Sequence, residues 1–336
     1  MTAQYGGWRN NSSNSDDYSS SSSNTSSWGN RNDSFSSARD AYSQPAPVTP
    51  TPTRPSAQAS VPSIVMPQTV DVMPRPMQTT APNVVILLLD TTGSMSAWNQ
   101  QIMKDLPLLH EQAKRFMRGD LEIIIASFGD SRLCMDLLRT APPGQGRVLD
   151  TYLDAVNIDN NGGGNGVESA EIAATWVLAS VDTSRSQNVL AFVVTDEGVY
   201  ADVSDNDART YARVNHPPEK RTKQVFARLE NQLRSFVVLC DTETCRNVQA
   251  ENCWSAIISD KQLIKAPRDN LVVECLLSTI SAITGTQLEF DDDFASRRQG
   301  THYFDENRRL VAQATKHIDT TGSLQKQGRP NVRPLL

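Results

Sequence analysis

The feature that most constrains the fold is an uninterrupted aliphatic run, Val84 to Leu89, that ends in an acid, Asp90. Such a run is typical of a strand that is buried on both faces of a parallel sheet. A second run of this kind, Val189 to Thr195, also ends in an acid, Asp196. Shorter apolar runs predict further strands over 121–128, 235–240 and 253–258, and an antiparallel edge strand over 133–138.

Segments with helical spacing of apolar residues lie between these runs. They cover 96–117, 148–156, 168–180, 219–233 and 271–284. Pro107 lies inside the first of them and predicts that this helix is kinked or divided. Strands that alternate with helices indicate an α/β fold, with an open, mostly parallel, doubly wound sheet and helices on both faces.

Composition restricts this fold to part of the chain. Residues 1–82 are rich in Ser and Asn and then in Pro, and such a segment buries too little apolar surface to offset the entropy of ordering. We therefore predict a disordered N-terminal arm over 1–82, one globular domain over 83–287, and a polar C-terminal tail over 288–336 whose charges are solvated.

Charge and cysteine content exclude several classes of protein. The formal net charge is −6, which argues against binding of nucleic acid through its phosphates. The longest apolar run is too short to cross a bilayer, and the start of the chain lacks the apolar stretch of a signal peptide, so no membrane association is expected. The five cysteines are odd in number and lack disulfide or zinc spacing, which favours a reduced, cytoplasmic protein.

Oxygen-bearing side chains follow both strong strands. Because ligands of parallel sheets bind at the carboxyl ends of the strands, we expect these side chains to meet at one edge. A glycine-rich loop over 162–166 begins a helix and adds two more donors. The candidate metal ligands are Asp90, Thr92, Ser94, Asn165, Glu168 and Asp196. Oxygen ligands without His or Cys suit Mg²⁺ or Mn²⁺. The alternative is that Thr92 or Ser94 only caps the next helix.

The segment Asp90-Thr-Thr92-Gly-Ser94, followed by Met95, resembles the DxSxS motif of von Willebrand factor A domains. The acid Asp196 is similar to the later metal-site aspartate of that family, and the order of elements matches over 83–287. The resemblance implies a metal-ion-dependent adhesion site. In such a site the hydroxyls of Thr92 and Ser94 touch the ion, and the two aspartates act largely through waters. Asn165 and Glu168 both remain open as the third contact, because the family usually has a threonine or an acid there.

The resemblance also implies a function without catalytic residues. It predicts a non-enzymatic adaptor in an intracellular assembly, in which an Asp or Glu of a protein partner completes the coordination of the metal. Similar proteins are found with AAA ATPase or kinase systems. The alternative is a haloacid-dehalogenase-like phosphotransferase with Asp90 as nucleophile. That reaction needs a second aspartate two positions further on, where this chain has Thr92.

Overall fold

The computed structural model describes residues 74–131, 138–146, 148–149 and 165–318. The strands in these ranges are β1 (Met77–Gln78), β2 (Asn83–Asp90), β3 (Leu121–Phe128), β4 (Arg139–Thr140), β5 (Val167–Glu168), β6 (Val181–Asp182), β7 (Asn188–Thr195), β8 (Gly198–Val199), β9 (Arg234–Cys240) and β10 (Leu263–Ala266). The helices are α1 (Ser96–Lys104), α2 (Leu106–Phe116), α3 (Ala170–Ser180), α4 (Asp205–Thr210), α5 (Thr222–Gln232), α6 (Glu243–Asn247), α7 (Ala250–Ser255), α8 (Val272–Thr284), α9 (Gln287–Arg298) and α10 (Phe304–Thr315). Short 3₁₀ turns cover Gly93–Met95, Asp260–Gln262 and Asp269–Leu271.

Six of these strands form one central sheet in the order β10-β9-β7-β2-β3-β4. All neighbours are parallel except β4, which pairs antiparallel with β3. The chain places β3 on one side of β2 and β7 on the other, so the strand order reverses next to β2. Ligands of open α/β sheets bind at such a reversal. The predicted doubly wound α/β fold is confirmed.

Both faces of the sheet are covered, as the aliphatic run of β2 predicts. Val85, Leu87 and Leu89 face one core, and the alternate residues Val84, Ile86 and Leu88 face the other. The first core is closed by α1, α2, α8, α9 and α10, and the second by α3, α4, α5 and α7. Alternation with a period of two therefore buries every side chain of the run.

Pro107 divides the first helical segment, as predicted. Helix α1 ends at Lys104, and Pro107 occupies the first turn of α2, where a missing backbone N–H costs nothing. The division lets each helix take its own direction over the sheet. Within the described residues no helix combines the length and apolar character needed to span a membrane.

One predicted element differs in the structure, and two others lie largely outside the described residues. The apolar segment 253–258 is not a strand: its first residues end α7, and the strand beside β9 is instead β10, with Leu263 paired to Val237. Trp254 explains the difference, because its ring lies in the core while its indole N–H donates to the backbone oxygen of Glu197. The predicted edge strand at 133–138 falls almost entirely outside the described residues, and the antiparallel neighbour of β3 is β4. Of the predicted helix over 148–156, only 148–149 are described, and they are helical.

The predicted boundaries of the domain are corrected at both ends. At the amino end, β1 pairs with β6, so residues 74–82 belong to the fold rather than to the arm. At the carboxyl end, 287–315 form α9 and α10 instead of a polar tail, with Phe290 and Phe294 buried. The predicted solvation of the charges there is also wrong for Arg297, which binds the buried carboxylate of Glu274. Residues 1–73 and 319–336 lie outside the described ranges.

Candidate metal site

The turn after β2 brings an acid and two hydroxyls together. The backbone N–H of Thr92 donates to Oδ1 of Asp90 over 2.9 Å. This bond folds the chain back, so that Thr92 Oγ1 and Ser94 Oγ lie 3.4 Å apart. Thr92 begins the 3₁₀ turn and Met95 precedes α1, but neither residue makes a side-chain capping bond. The alternative in which Thr92 or Ser94 is only a helix cap is therefore wrong.

Asp90 is held from several sides. Its Oδ2 accepts a 2.6 Å hydrogen bond from the hydroxyl of Thr195, the last residue of β7. Its backbone oxygen accepts a 2.6 Å bond from the side-chain amide of Asn99 in α1. Because Asp90 is completely buried, these bonds and that from Thr92 fix the position of its carboxylate at the point where the strand order reverses.

Asp196 reaches the same edge from β7. It is completely buried, and its Oδ2 accepts a 2.6 Å hydrogen bond from the hydroxyl of Thr242, which follows β9. Its Oδ1 is buried and has no hydrogen-bond partner within the described part of the chain. The structure thus brings together four of the six predicted site residues: Asp90, Thr92, Ser94 and Asp196.

Glu168 approaches through a small auxiliary sheet. β5 pairs with β8, so that Glu168 lies opposite Val199, three residues after Asp196. Gly166 begins this connection with a φ of +77°, and a Cβ there would meet Val248 at 2.7 Å. A residue with a side chain would push this loop away from the sheet edge. Glu168 is completely buried.

Asn165, the other candidate from this loop, is engaged elsewhere. Its amide nitrogen donates to Oδ2 of Asp130 over 2.6 Å and to the Tyr200 hydroxyl over 2.8 Å. Its amide oxygen accepts from the backbone N–H of Val167 at 3.1 Å. The oxygen that was predicted as a ligand is therefore already bonded, and which residue makes the third contact stays a prediction.

Two acids that the sequence did not single out complete the cluster. Asp130 lies two residues after β3 and is completely buried. Glu197 follows Asp196 and is only 4% exposed, and its Oε2 has no hydrogen-bond partner among the described residues. Asp130 could have been found from its place after the strand predicted next to β2. Glu197 gave no such signal, because neighbours along a chain often point in opposite directions.

The crowding of carboxylates changes their pKa values. Burial raises the pKa of Asp90 to about 7, and the charge of Asp196 adds to this while hydrogen bonds from Thr195 and Thr92 oppose it. Burial likewise raises the pKa of Glu197 to about 7, with contributions from the charges of Asp90, Asp196 and Asp130. Burial also raises the pKa of Asp196, against hydrogen bonds from Thr242 and Ser94. A nearby cation would stabilise every one of these charges.

The donor set fits a cation that is held by hydroxyls and waters. In the described ranges no three His, Cys, Asp or Glu side chains converge closely enough to hold an ion by themselves. The paired hydroxyls of Thr92 and Ser94 are oxygen donors of another kind, and the orphaned oxygens of Asp196 and Glu197 can accept from water bound to an ion. A hard ion such as Mg²⁺, which keeps several of its waters, suits this arrangement.

Comparisons with known proteins give only remote similarities. No protein-family model and no curated protein matches the sequence. Among solved structures, the chain is similar to the pilus adhesin SpaC from Lactobacillus rhamnosus GG in its open conformation, with 11% identity over 62% of this chain and 31% of that one and a TM-score of 0.41. It is also similar to proximal thread matrix protein 1 from the mussel byssus with a zinc-occupied MIDAS motif, with 11% identity over 63% and 49% and a TM-score of 0.41. The chain thus spans less than half the length of either protein.

Proposed function

We propose that this chain is a non-enzymatic, Mg²⁺-dependent protein-interaction module of the von Willebrand A type, which docks a partner's carboxylate on the bound ion. The observation that carries this proposal is the pair of hydroxyls of Thr92 and Ser94, 3.4 Å apart and free of any capping role. They stand at the strand-order reversal, surrounded by buried carboxylates. Such a site holds a cation without surrounding it completely with protein.

The chemistry of the donors explains why a partner's acid would bind. Thr92 and Ser94 contribute neutral oxygens, and the carboxylates of Asp90 and Asp196 already accept hydrogen bonds from the protein. The direct ligands of the ion are then mostly neutral oxygens and exchangeable waters. An Asp or Glu of a partner can replace one of these waters and form a direct carboxylate bond to the ion. Removal of such a central contact costs on the order of 2 kcal/mol or more.

The environment of Asp90 favours this function over the phosphotransferase alternative. A nucleophilic carboxylate needs an exposed oxygen that can reach a phosphorus atom. Both carboxylate oxygens of Asp90 accept hydrogen bonds, and the residue is completely buried. The position of the required second acid is occupied by Thr92. We therefore propose that the site holds a ligand and does not transform it.

The setting of this module is also part of the proposal. We propose that it acts as an adaptor in the cytoplasm, within an AAA ATPase or kinase system, on the analogy of similar proteins. Cys240, Cys245, Cys253 and Cys275 are free thiols in the structure, which agrees with a reducing compartment. The fifth, Cys134, lies outside the described residues.

Affinity purification with the full-length chain as bait tests this function. Quantitative mass spectrometry would compare capture from a lysate of the source cells in Mg²⁺, in EDTA, and with the Ser94→Ala variant in Mg²⁺. We expect the same partner to be lost in EDTA and with Ser94→Ala, and retained with Ser96→Ala, a matched change two residues further on. A partner that survives both EDTA and Ser94→Ala would overturn the proposal.

A further inference from the structure

We propose that Glu197 is an outer-sphere anion of the metal site, which raises cation affinity through its charge and not through a direct bond. This inference rests on the proposed function, because it concerns the same ion. The burial of Glu197, its orphaned carboxylate oxygen and the neighbouring charges support this role.

Glu197 is a buried residue directly next to Asp196 in the chain. Glu197 lies two residues after the end of β7, and both its backbone N–H and its backbone carbonyl are hydrogen-bonded. Its N–H donates to the hydroxyl of Thr195 over 3.1 Å, and its carbonyl accepts from the indole of Trp254 over 2.9 Å. The N–H of the next residue, Gly198, donates to the backbone oxygen of Gly166 over 3.0 Å. The side chain is thereby held buried, with Oε2 unpartnered among the described residues.

A buried carboxylate oxygen without a donor is costly unless a positive group is nearby. Glu197 feels the charges of Asp90, Asp196 and Asp130, so its described neighbours make this cost larger. Each of the other three acids accepts a hydrogen bond: Asp90 from Thr195, Asp196 from Thr242, and Asp130 from Tyr200. The carboxylate of Glu197 accepts no such hydrogen bond from the described part of the chain. Its charge is nevertheless repelled by the neighbouring acids.

A divalent cation beside Thr92 and Ser94 changes the electrostatic potential at Glu197 from negative to positive. Because no three His, Cys, Asp or Glu side chains of the described residues converge on one ion, we assign Glu197 an action through a bound water or through its field. The charge of Glu197 is therefore unfavourable in the metal-free protein and favourable in the metal-loaded one. A purely structural residue would contribute with the same sign in both states.

Titration of the full-length protein with Mn²⁺ by calorimetry at pH 8 tests this assignment. We expect Glu197→Gln to weaken Mn²⁺ binding at least tenfold, about 1.4 kcal/mol. We expect Glu197→Asp, which keeps the charge, to stay within about threefold of wild type, less than 0.7 kcal/mol. In the metal-free state Glu197→Gln should raise the thermal midpoint, because it removes repulsion from three neighbouring acids.

Glu122→Gln is the matched control. Glu122 is also a buried glutamate, but it lies at the start of β3, at the other end of the sheet, where it accepts hydrogen bonds from Thr80. This variant should lower stability with and without Mn²⁺ and leave the affinity unchanged.

The outcomes separate the two proposals. Equal Mn²⁺ affinity for wild type and Glu197→Gln would overturn the role of Glu197 and leave the metal site in place. A loss of metal-free stability in Glu197→Gln would identify a structural role and would also overturn it. Absence of Mn²⁺ binding in the wild type would overturn this inference together with the proposed function.

Discussion

The hydroxyl of Thr195 donates to Oδ2 of Asp90 over 2.6 Å and so joins the last residues of the two central strands. The same hydroxyl accepts the backbone N–H of Glu197, which begins the chain's turn away from β7. Both Thr195 and Asp90 are completely buried. One small side chain therefore aligns the acid after β2 with the acids after β7, and the geometry of the site depends on it.

Thr195→Val keeps the shape of this side chain and removes its hydroxyl. We expect the free energy of unfolding to fall by about 1 to 3 kcal/mol, because a buried carboxylate oxygen loses its donor. Urea denaturation in metal-free buffer measures this. Thr279→Val is the control: Thr279 is also fully buried, but its hydroxyl donates to the carbonyl of Cys275 within α8, and its loss should cost less than about 1 kcal/mol. Equal losses for the two variants would contradict the role assigned to Thr195.

Under the proposed function Mg²⁺ binds the folded state and not the unfolded chain, and it should therefore stabilise the full-length protein. At a concentration about 100 times the dissociation constant, the gain is about 2.7 kcal/mol. Ser94→Ala removes one of the paired hydroxyls and should remove most of the rise in thermal midpoint. Ser96→Ala removes a hydroxyl that, among the described residues, bonds Gln100 in α1, and it should leave the rise intact. The same Mg²⁺ response in wild type and Ser94→Ala would place the ion elsewhere.

The metal-free protein should become less stable as the pH rises from about 4 to about 7. Asp90 and Glu197 have folded-state pKa values raised from 3.8 and 4.5 to about 7, so in this window the folded state binds more protons than the unfolded state. Stability then falls with increasing pH. The contribution is complete below the unfolded pKa values and lost above the folded ones. Urea denaturation at several pH values measures the slope.

Two comparisons isolate this effect from other titrating groups. Asp90→Asn should flatten the slope, since the amide does not titrate. Saturating Mg²⁺ should do the same in the wild type, because the cation stabilises the ionised carboxylates. A slope that is identical in the wild type and in Asp90→Asn would show that Asp90 titrates normally.

The buried carboxylate of Glu274 should make α9 essential for stability. Glu274 is 1% exposed and accepts bonds of 2.8 and 3.0 Å from the guanidinium of Arg297. Arg297→Met leaves this charge with weaker compensation from Arg298, and we expect a loss of about 3 kcal/mol in the free energy of unfolding. Arg115→Met, at a half-exposed arginine paired to Glu289, should cost less than about 1 kcal/mol. Chemical denaturation compares them.

How well the sequence predicted the fold depended on how long each strand is and how deeply it is buried. The runs of β2, β3, β7 and β9 are long and aliphatic, so their pattern identifies them without further information. β10 has four residues, one of them the exposed Lys265, and the more apolar segment around Trp254 predicts a strand in its place. That segment is apolar because its side chains pack into a core. A helix can fill a core as well as a strand can.

The candidate site was predicted in part for a similar reason. Asp90, Thr92, Ser94 and Asp196 lie where strands end, and the meeting of strand ends follows from the parallel topology. The amide of Asn165 turns to Asp130 and Tyr200 because of contacts between segments 35 residues apart, which no local pattern records. The packing of Phe290 and Phe294 likewise depends on α8. The many charged residues around them obscure the helical patterns of α9 and α10 in the sequence.

The pairing of β2 with β7 has a consequence for the folding of this protein during its synthesis on the ribosome. β2 is the central strand, and its aligned partners on β7 lie 105 residues further along the chain, as in the pair Asn83 and Asn188. At about 5 to 20 residues per second, roughly 5 to 20 seconds of synthesis separate the two strands. During that interval the most aliphatic segment of the protein has one edge without its native neighbour. Nascent chains that stall in this interval would be natural clients for chaperones that recognise extended aliphatic segments.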